Sequence, residues 1–411
     1  MFLLEEGSMQ SADPDTQPPS PDAPPWAAAS KEIRHEAAGT EDLIDGHEAH
    51  DLYWFFAGSQ GLRAGWSLAI FAILYRLFSG IAGMVAIGIF PAILKFDFSP
   101  RYALIGELVP LLALVGAMVV LARIEHRGVL DYNLAGPRPA TRFFEGAAAG
   151  FAALSVLVGA LAIGGWLHFG RVGLSGKRVL LYAVAWGAAF LLVGLFEEGT
   201  FRCYLQFTLA RGINFWWALA IVCSLCLDLL MRTMSNSAGL VGAVWLRVMP
   251  GAGDNGVWGV YAMALLGFAP CLLLHLKKAD GAGFWQAAWA TSTLFGYIHT
   301  SNGGENWIGI FAAAMIGFVF CVSVRLTGSA WWAIGCHSAW DWAETYFYGT
   351  ADSGIQAKGH LLSTSPAGNT LWSGGADGPE GSLLVLAAIL LLLVALLAIH
   401  GRKHLGAPSL P

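Results

Sequence analysis

Long apolar runs alternate with short polar stretches over most of the chain. Several runs reach the ~18 residues that a helix rising ~1.5 Å per residue needs to cross a hydrocarbon core. Because that core has no water to satisfy backbone groups, the runs are predicted to be helices. About ten segments are predicted: 66–93, 102–122, 144–167, 179–196, 214–231, 256–276, 285–299, 306–325, 330–348 and 382–400. The pattern predicts an all-α, polytopic membrane bundle of about 8–10 transmembrane helices.

The polar stretches divide the chain into regions. Residues 1–58 are acidic and Pro-rich and lack hydrophobic periodicity, which predicts a disordered tail. The other regions are N-terminal transmembrane helices (59–178), a membrane core (179–349) with a helical hairpin inserted near 214–276, a loop (350–381), and a C-terminal helix and tail (382–411).

Composition and charge support a membrane protein. Hydrophobic residues make up 56% of the chain and charged residues 12%, about half the share in soluble proteins. The net charge of −5 combines an acidic tail with a basic remainder, and no basic cluster suggests nucleic-acid binding. Lys and Arg in the short loops favour a cytoplasmic N-terminus modestly. We expect an integral membrane protein in contact with membrane lipids.

Ionisable side chains inside apolar helices cost free energy and usually indicate pairing or function. In LFEEGTFRCYLQF, Glu198 and Arg202 stand four residues apart, so a helix brings them together as an ion pair. Glu197 points about 100° away from Glu198. We therefore expect one carboxylate to be neutralised and the other to face a cavity, although a charged anchor at a helix end explains this motif equally well.

Two histidines also lie within apolar segments. FGYIHT places Phe295 and His299 one helical turn apart, and a packed core histidine would explain this pair alone. GCHSAWDWAETY places His337, Asp341 and Glu344 on one polar stripe, which an internal His–Asp hydrogen bond would also explain. Packing alone does not readily explain a carboxylate pair and two histidines on separate apolar helices.

The ordered set EExxxR, FxxxH and HxxxD resembles the CPBP family. This family contains the CAAX prenyl endopeptidases and the bacterial Abi-type proteins associated with bacteriocin self-immunity. The resemblance covers about residues 180–348, and GGADGPEGS at 374–382 is also similar to bacterial members. It implies an intramembrane protease in a bacterial cytoplasmic (inner) membrane. For Glu197 and a distant His299 to meet, the fourth helix must continue past Arg202 to about Leu209.

The resemblance also implies roles for individual residues. Glu197 and His299 would activate water, while His337 and Asp341 would stabilise the oxyanion. Glu198, Arg202 and Phe295 would support them. Asp341 stands where CAAX endopeptidases usually have Asn, and an ionised Asp cannot donate a hydrogen bond. Asp341 must therefore be protonated, or orient His337 instead.

A zinc mechanism is the alternative to direct activation of water. Glu197, His299 and His337 would then be zinc ligands and Glu198 the base. We favour no metal, because HExxH is absent and only loop residues after His299, such as Glu305, are available to orient that imidazole.

Two other classes of function remain open, a non-catalytic membrane scaffold or bacteriocin-immunity factor and a proton-coupled transporter. For a protease the partner is a peptide or protein substrate, which a membrane-embedded site allows to be another membrane protein. The sequence does not identify that substrate.

Overall fold

The computed structural model describes residues 55–58, 61–91, 98–236 and 257–401. The disordered tail predicted for 1–58 lies almost entirely outside these ranges, as do most of the link within the predicted inserted hairpin and the tail after 401. The helices are α1 Ala64–Ile89, α2 Pro100–Ile124, α3 Pro139–Ile163, α4 Lys177–Gly212, α5 Phe215–Asn236, α6 Val257–Leu276, α7 Ala282–His299, α8 Trp307–Thr327, α9 Trp331–Asp341, α10 Thr370–Ser373 and α11 Leu383–His400.

Eight of these helices are long and apolar enough to cross a membrane: α1 to α6, α8 and α11. The predicted polytopic helical bundle is therefore confirmed. The predicted segments 285–299 and 330–348 are also helical, as α7 and α9, but fall outside the eight. α7 and α9 carry the two motif histidines.

Segment 350–381 folds against the end of the bundle. Strand β6 (Leu362–Pro366) pairs antiparallel with β3 (Leu167–Val172), which follows α3. β4 (Ala351–Asp352) and β5 (Ile355–Gln356) form a small hairpin, and Pro379–Gly381 is a 3₁₀ turn. The remaining strands are β1 (Ala57–Gly58) and β2 (Gly61–Leu62).

Glycines allow α9 to lie directly on the backbone of α3. A Cβ atom at Gly146 would overlap the carbonyl oxygen of Trp332, and one at Gly150 would overlap that of Cys336. In return, a Cβ atom at Gly335 of α9 would overlap the carbonyl oxygen of Phe143. Small residues permit such close approach between membrane helices, and here they set the position of α9 just before His337.

The hairpin predicted near 214–276 corresponds to α5 and α6. Both helices pack against α7, and α6 also packs against α8. Both are long and apolar enough to cross a membrane, and a pair of membrane spans returns a chain to its starting side. The C-terminal part of α4 contacts α7, so the residues between these two helices do not keep them apart.

Candidate functional site

Helix α4 carries Glu197 and Glu198 near its middle. The helix begins at Lys177 and continues to Gly212, past the predicted extension to about Leu209. Gly199–Leu205 forms a π-helical stretch directly after the two glutamates. π-Helical turns inside α-helices often occur at functional sites, and a second one, Trp342–Tyr348, follows Asp341 on α9.

Glu198 and Arg202 form a fully buried ion pair, as their spacing predicted. Glu198 is 0% exposed and Arg202 is 1% exposed. Arg202 Nε lies 3.1 Å from Glu198 Oε2, and Arg202 NH1 donates to Oε1 at 3.3 Å. The guanidinium carbon lies 4.4 Å from the centre of the Phe295 ring and 5.3 Å from that of Phe320. Phe295 of the FxxxH motif therefore packs against the cation that neutralises Glu198.

His337 is held by a carboxylate from another helix. Its Nδ1 donates to Glu198 Oε1 at 2.8 Å, since a carboxylate can only accept. Its Nε2 lies 3.5 Å from Asp341 Oδ2 and 3.9 Å from Glu197 Oε2. The acids on the same stripe as His337 were expected to orient its ring. Asp341 lies near Nε2, but Glu344 accepts from Trp340 Nε1, and Nδ1 is bound by Glu198 of another helix. Glu198, bound to both Arg202 and His337, is also poorly suited to be a free base.

His299 finds its orienting partner within its own helix. Its Nδ1 donates to the carbonyl oxygen of Phe295 at 2.8 Å, because a carbonyl has no hydrogen to give. The other ring nitrogen of a neutral His299 is then an acceptor. The argument that only loop residues could orient His299 was wrong, because it overlooked the helix's own backbone one turn back.

One cavity of about 240 Å³ brings the predicted residues together. Glu197 from α4, His299 from α7, and His337 and Asp341 from α9 all line it, beside Phe295. Glu198 and Arg202 lie behind this lining in the buried pair described above.

Four further acids line the same cavity, and of these the sequence analysis considered only Glu305, as a partner for His299. They are Glu107 on α2, Glu305 before α8, Asp352 in β4 and Glu380 in the 3₁₀ turn. No Lys or Arg is among the described residues lining the cavity. The stretch GGADGPEGS was available as a signal, because it places two acids in a turn that was already noted for its resemblance.

Of the acids in segment 350–381, Asp377 is buried and Asp352 and Glu380 are half-buried, and all three lie in an acidic neighbourhood. Burial raises the pKa of Asp352 to about 6 and that of Glu380 to about 8. Burial likewise raises the pKa of Asp377 to about 8, although the backbone N–H of Asn306 donates to its Oδ2 at 3.0 Å. The side of the cavity formed by this segment therefore favours protons or a cation.

The residues considered as zinc ligands do not fit one zinc ion in this arrangement. Zinc bonds of about 2.0–2.2 Å to nitrogen and oxygen bring ligand atoms within about 4.4 Å of one another. Among the described residues, one group of three has ligand atoms within even 4.8 Å, namely Glu344, Asp352 and Glu380. Glu197, His299 and His337 do not form such a group, although each histidine has the oriented ring that a metal ligand needs.

The family comparison matches the segment that contains both histidine motifs. Residues 266–343 match the family described as Type II CAAX prenyl endopeptidase Rce1-like. The match includes Phe295, His299, His337 and Asp341, whereas the EExxxR motif on α4 lies before it. No curated protein and no solved structure matches the chain.

Proposed function

We propose that this chain, a member of the CAAX-protease (CPBP) family, is an intramembrane endopeptidase whose water is activated by Glu197 and His299. One observation carries the proposal. Glu197, which lies outside the matched segment, lines the same cavity as His299, His337 and Asp341 inside it. A bundle packed only for stability has no reason to gather these costly groups around an open space.

Glu197 is the general base of the proposed reaction. Its side chain is 24% exposed and has no arginine partner in the described part of the chain, unlike that of Glu198. It takes a proton from water as the water oxygen attacks the peptide carbonyl carbon. His299, with Nδ1 bonded to the Phe295 carbonyl, accepts a hydrogen bond from the second O–H of the water and holds the water in place without taking that proton. When the C–N bond breaks, Glu197 gives its proton to the leaving nitrogen.

His337 is the electrophilic partner. Glu198 accepts from its Nδ1, and the carboxylates of Asp341 and Glu197 flank its Nε2, so these surroundings favour an imidazolium. The Nε2–H then donates to the oxyanion that forms on the substrate carbonyl. Asp341 acts through His337 and need not donate to the oxyanion itself. The proposed reaction therefore accommodates an Asp at the position where CAAX endopeptidases usually have Asn.

The partner is a peptide or protein that enters the membrane-embedded cavity. We place the protein in a bacterial cytoplasmic membrane with its N-terminus in the cytoplasm, following the Lys and Arg distribution. The acids that line the cavity also favour one second candidate, a proton-coupled transporter, because carboxylates in series can relay protons.

Mass spectrometry of new protein termini tests the function. Membranes from cells producing the wild-type protein are compared with membranes containing Glu197→Gln or His299→Ala. The matched controls are Glu145→Gln, an acid that pairs with Arg142, and His168→Ala, an exposed histidine in β3. We expect both site variants to fold, to elute as the wild type does and to lose the specific termini, while both controls keep them.

Three outcomes contradict the proposed activity or its assigned base. Specific termini that persist at the wild-type level in Glu197→Gln remove the assigned base. A cellular function that survives in Glu197→Gln without any cleavage indicates a scaffold. Proton-coupled flux in vesicles, abolished by Glu197→Gln and accompanied by no cleavage, indicates the transporter.

A further inference from the structure

Three carboxylates meet beside the cavity from separate elements. Glu344 lies in the π-helical stretch after α9, Asp352 in β4 and Glu380 in the 3₁₀ turn. One oxygen atom of each lies within 4.8 Å of the other two. We call these three residues the acid cluster. It is distinct from the Glu197, His299 and His337 set.

In the described part of the chain, the groups that donate hydrogen bonds to the acid cluster are all neutral. The indole Nε1 of Trp340 donates to Glu344 Oε2 at 3.1 Å and to Glu380 Oε1 at 2.9 Å. The hydroxyl of Thr345 donates to Asp352 Oδ2 at 2.7 Å. Within the described ranges, no Lys, Arg or His side chain forms an ion pair with any of the three. The cluster has a formal charge of −3 when ionised, and no positively charged side chain of the described residues pairs with it.

A buried oxygen atom in the cluster has no partner. Glu344 is 0% exposed, and its Oε1 has no hydrogen-bond donor among the described residues, although Oε2 accepts from Trp340. Leaving a buried polar atom unsatisfied costs folding free energy, and leaving a buried charge uncompensated costs more. An unpartnered, fully buried carboxylate oxygen beside two other carboxylates is the environment that a bound cation satisfies.

We propose that Glu344, Asp352 and Glu380 bind a hard divalent cation, with Ca²⁺ as the best fit. The ligands are all oxygen atoms, which hard cations prefer over the softer transition metals. Ca–O bonds of about 2.3–2.6 Å bridge oxygen atoms up to about 5 Å apart, and the cluster lies within that span. Mg²⁺ requires shorter bonds and a stricter geometry, so it fits less well.

The bound cation would connect segment 350–381 to α9. Asp352 and Glu380 belong to that segment, whereas Glu344 follows Asp341 on the helix that carries His337. Asp352 and Glu380 also line the cavity. The cation therefore fixes one wall of the cavity through ligands other than Glu197 and the histidines.

Calorimetry and thermal unfolding of the full-length protein in detergent test the site. The protein is stripped with a chelator and exchanged into chelator-free buffer. It is then titrated with CaCl₂, with MgCl₂ in parallel. The variants are Glu344→Gln, Asp352→Asn and Glu380→Gln, which keep a hydrogen-bond acceptor for Trp340 or Thr345. Glu145→Gln is the control, since Glu145 is an acid paired with Arg142 on α3.

We expect one Ca²⁺ per chain in the wild type and in Glu145→Gln. Each cluster variant should bind Ca²⁺ at least about tenfold more weakly. Saturating Ca²⁺ should raise the Tm of the wild type by on the order of 5 °C and leave the Tm of the variants nearly unchanged.

Three results overturn the proposal: no Ca²⁺ binding by the stripped wild-type protein, equal Ca²⁺ affinity in the wild type and all three variants, or binding that is lost in Glu197→Gln but kept in the variants. A variant that elutes as an aggregate is replaced by the double variant Asp352→Asn/Glu380→Gln, in which both changes lie outside the transmembrane helices. Wild-type affinity for Ca²⁺ in that double variant also overturns the proposal.

Discussion

The two sides of the cavity handle buried acids in opposite ways. On the α4 side, Glu198 is neutralised by Arg202 and also accepts from His337, so the chain supplies the opposite charge itself. On the side of segment 350–381, the acid cluster receives only neutral donors from Trp340 and Thr345. The first side has a fixed charge state, whereas the second takes up protons or a cation from solution. Substitutions on the α4 side should therefore destabilise the protein, whereas substitutions on the side of segment 350–381 should change its response to pH and to cations.

The largest expected effect on stability comes from removing Arg202, the positively charged side chain that neutralises Glu198 on the α4 side. Arg202→Ala leaves Glu198 buried without its arginine, and we expect a loss of about 3–5 kcal/mol in stability. Glu197→Ala, on the same helix but partly exposed, should cost far less. Thermal unfolding in detergent measures both, with the exposed Arg178→Ala as a further control. Equal melting temperatures for Arg202→Ala and Glu197→Ala would count against the ion pair.

On the side of segment 350–381, by contrast, removing a charged side chain is expected to stabilise the fold. In chelator-stripped protein, Glu344→Gln removes one of three clustered carboxylates and keeps an acceptor for Trp340, so it should stabilise the fold. Two like charges 4 Å apart repel by about 4 kcal/mol at an effective dielectric constant of 20, and protonation relieves most of this. We expect a gain on the order of 1–2 kcal/mol in denaturant or thermal unfolding. Destabilisation by that amount would show that the negative charge of the cluster is already neutralised in the stripped protein.

A smaller effect concerns pH and Asp377. The pKa of this carboxyl is about 8 in the fold and 3.8 in its ordinary state, so the folded chain binds more protons between these values. Stability contributed by the protonated group is therefore lost as pH rises from about 4 to 8. Asp377→Asn should reduce this decline, by roughly 5 °C in Tm between pH 6 and pH 9. If the Tm of the wild type and that of Asp377→Asn change identically with pH, the raised pKa of Asp377 is contradicted.

No effect is expected from removing zinc. Because Glu197, His299 and His337 are too widely spaced for one zinc ion, 1,10-phenanthroline should leave cleavage unchanged, and elemental analysis should find no stoichiometric zinc. This chelator binds Ca²⁺ weakly, so it leaves the acid cluster occupied. One zinc per chain, with cleavage lost on chelation and restored by zinc, would instead make those three residues ligands.

Local rules predicted the parts of the site that lie within one helix. The i, i+4 spacing of Glu198 and Arg202 predicted their ion pair, and hydrophobic length predicted the bundle. The continuation of α4 past Arg202 was required for Glu197 to meet His299, and the helix runs to Gly212. These predictions succeed because helix geometry fixes which neighbouring side chains share a face.

Contacts between distant parts of the chain could not be predicted in the same way. The bond from His337 to Glu198 joins two helices, and nothing in the spacing of either motif reveals it. Glu344 was placed on the stripe of His337, but the hydrogen bond from Trp340 draws it to the acid cluster. Segment 350–381 was predicted only as a loop, so its contribution of Asp352 and Glu380 to the cavity depended on tertiary folding.

The glycine contacts between α3 and α9 have a consequence for genetics. Any side chain larger than glycine at position 146, 150 or 335 would push against backbone rather than against a side chain that can rotate away. The backbone it displaces carries His337 two residues after Gly335. In an unbiased screen for inactive alleles, these three remote glycines should therefore be recovered together with Glu197 and the histidines, as full-length proteins that still reach the membrane.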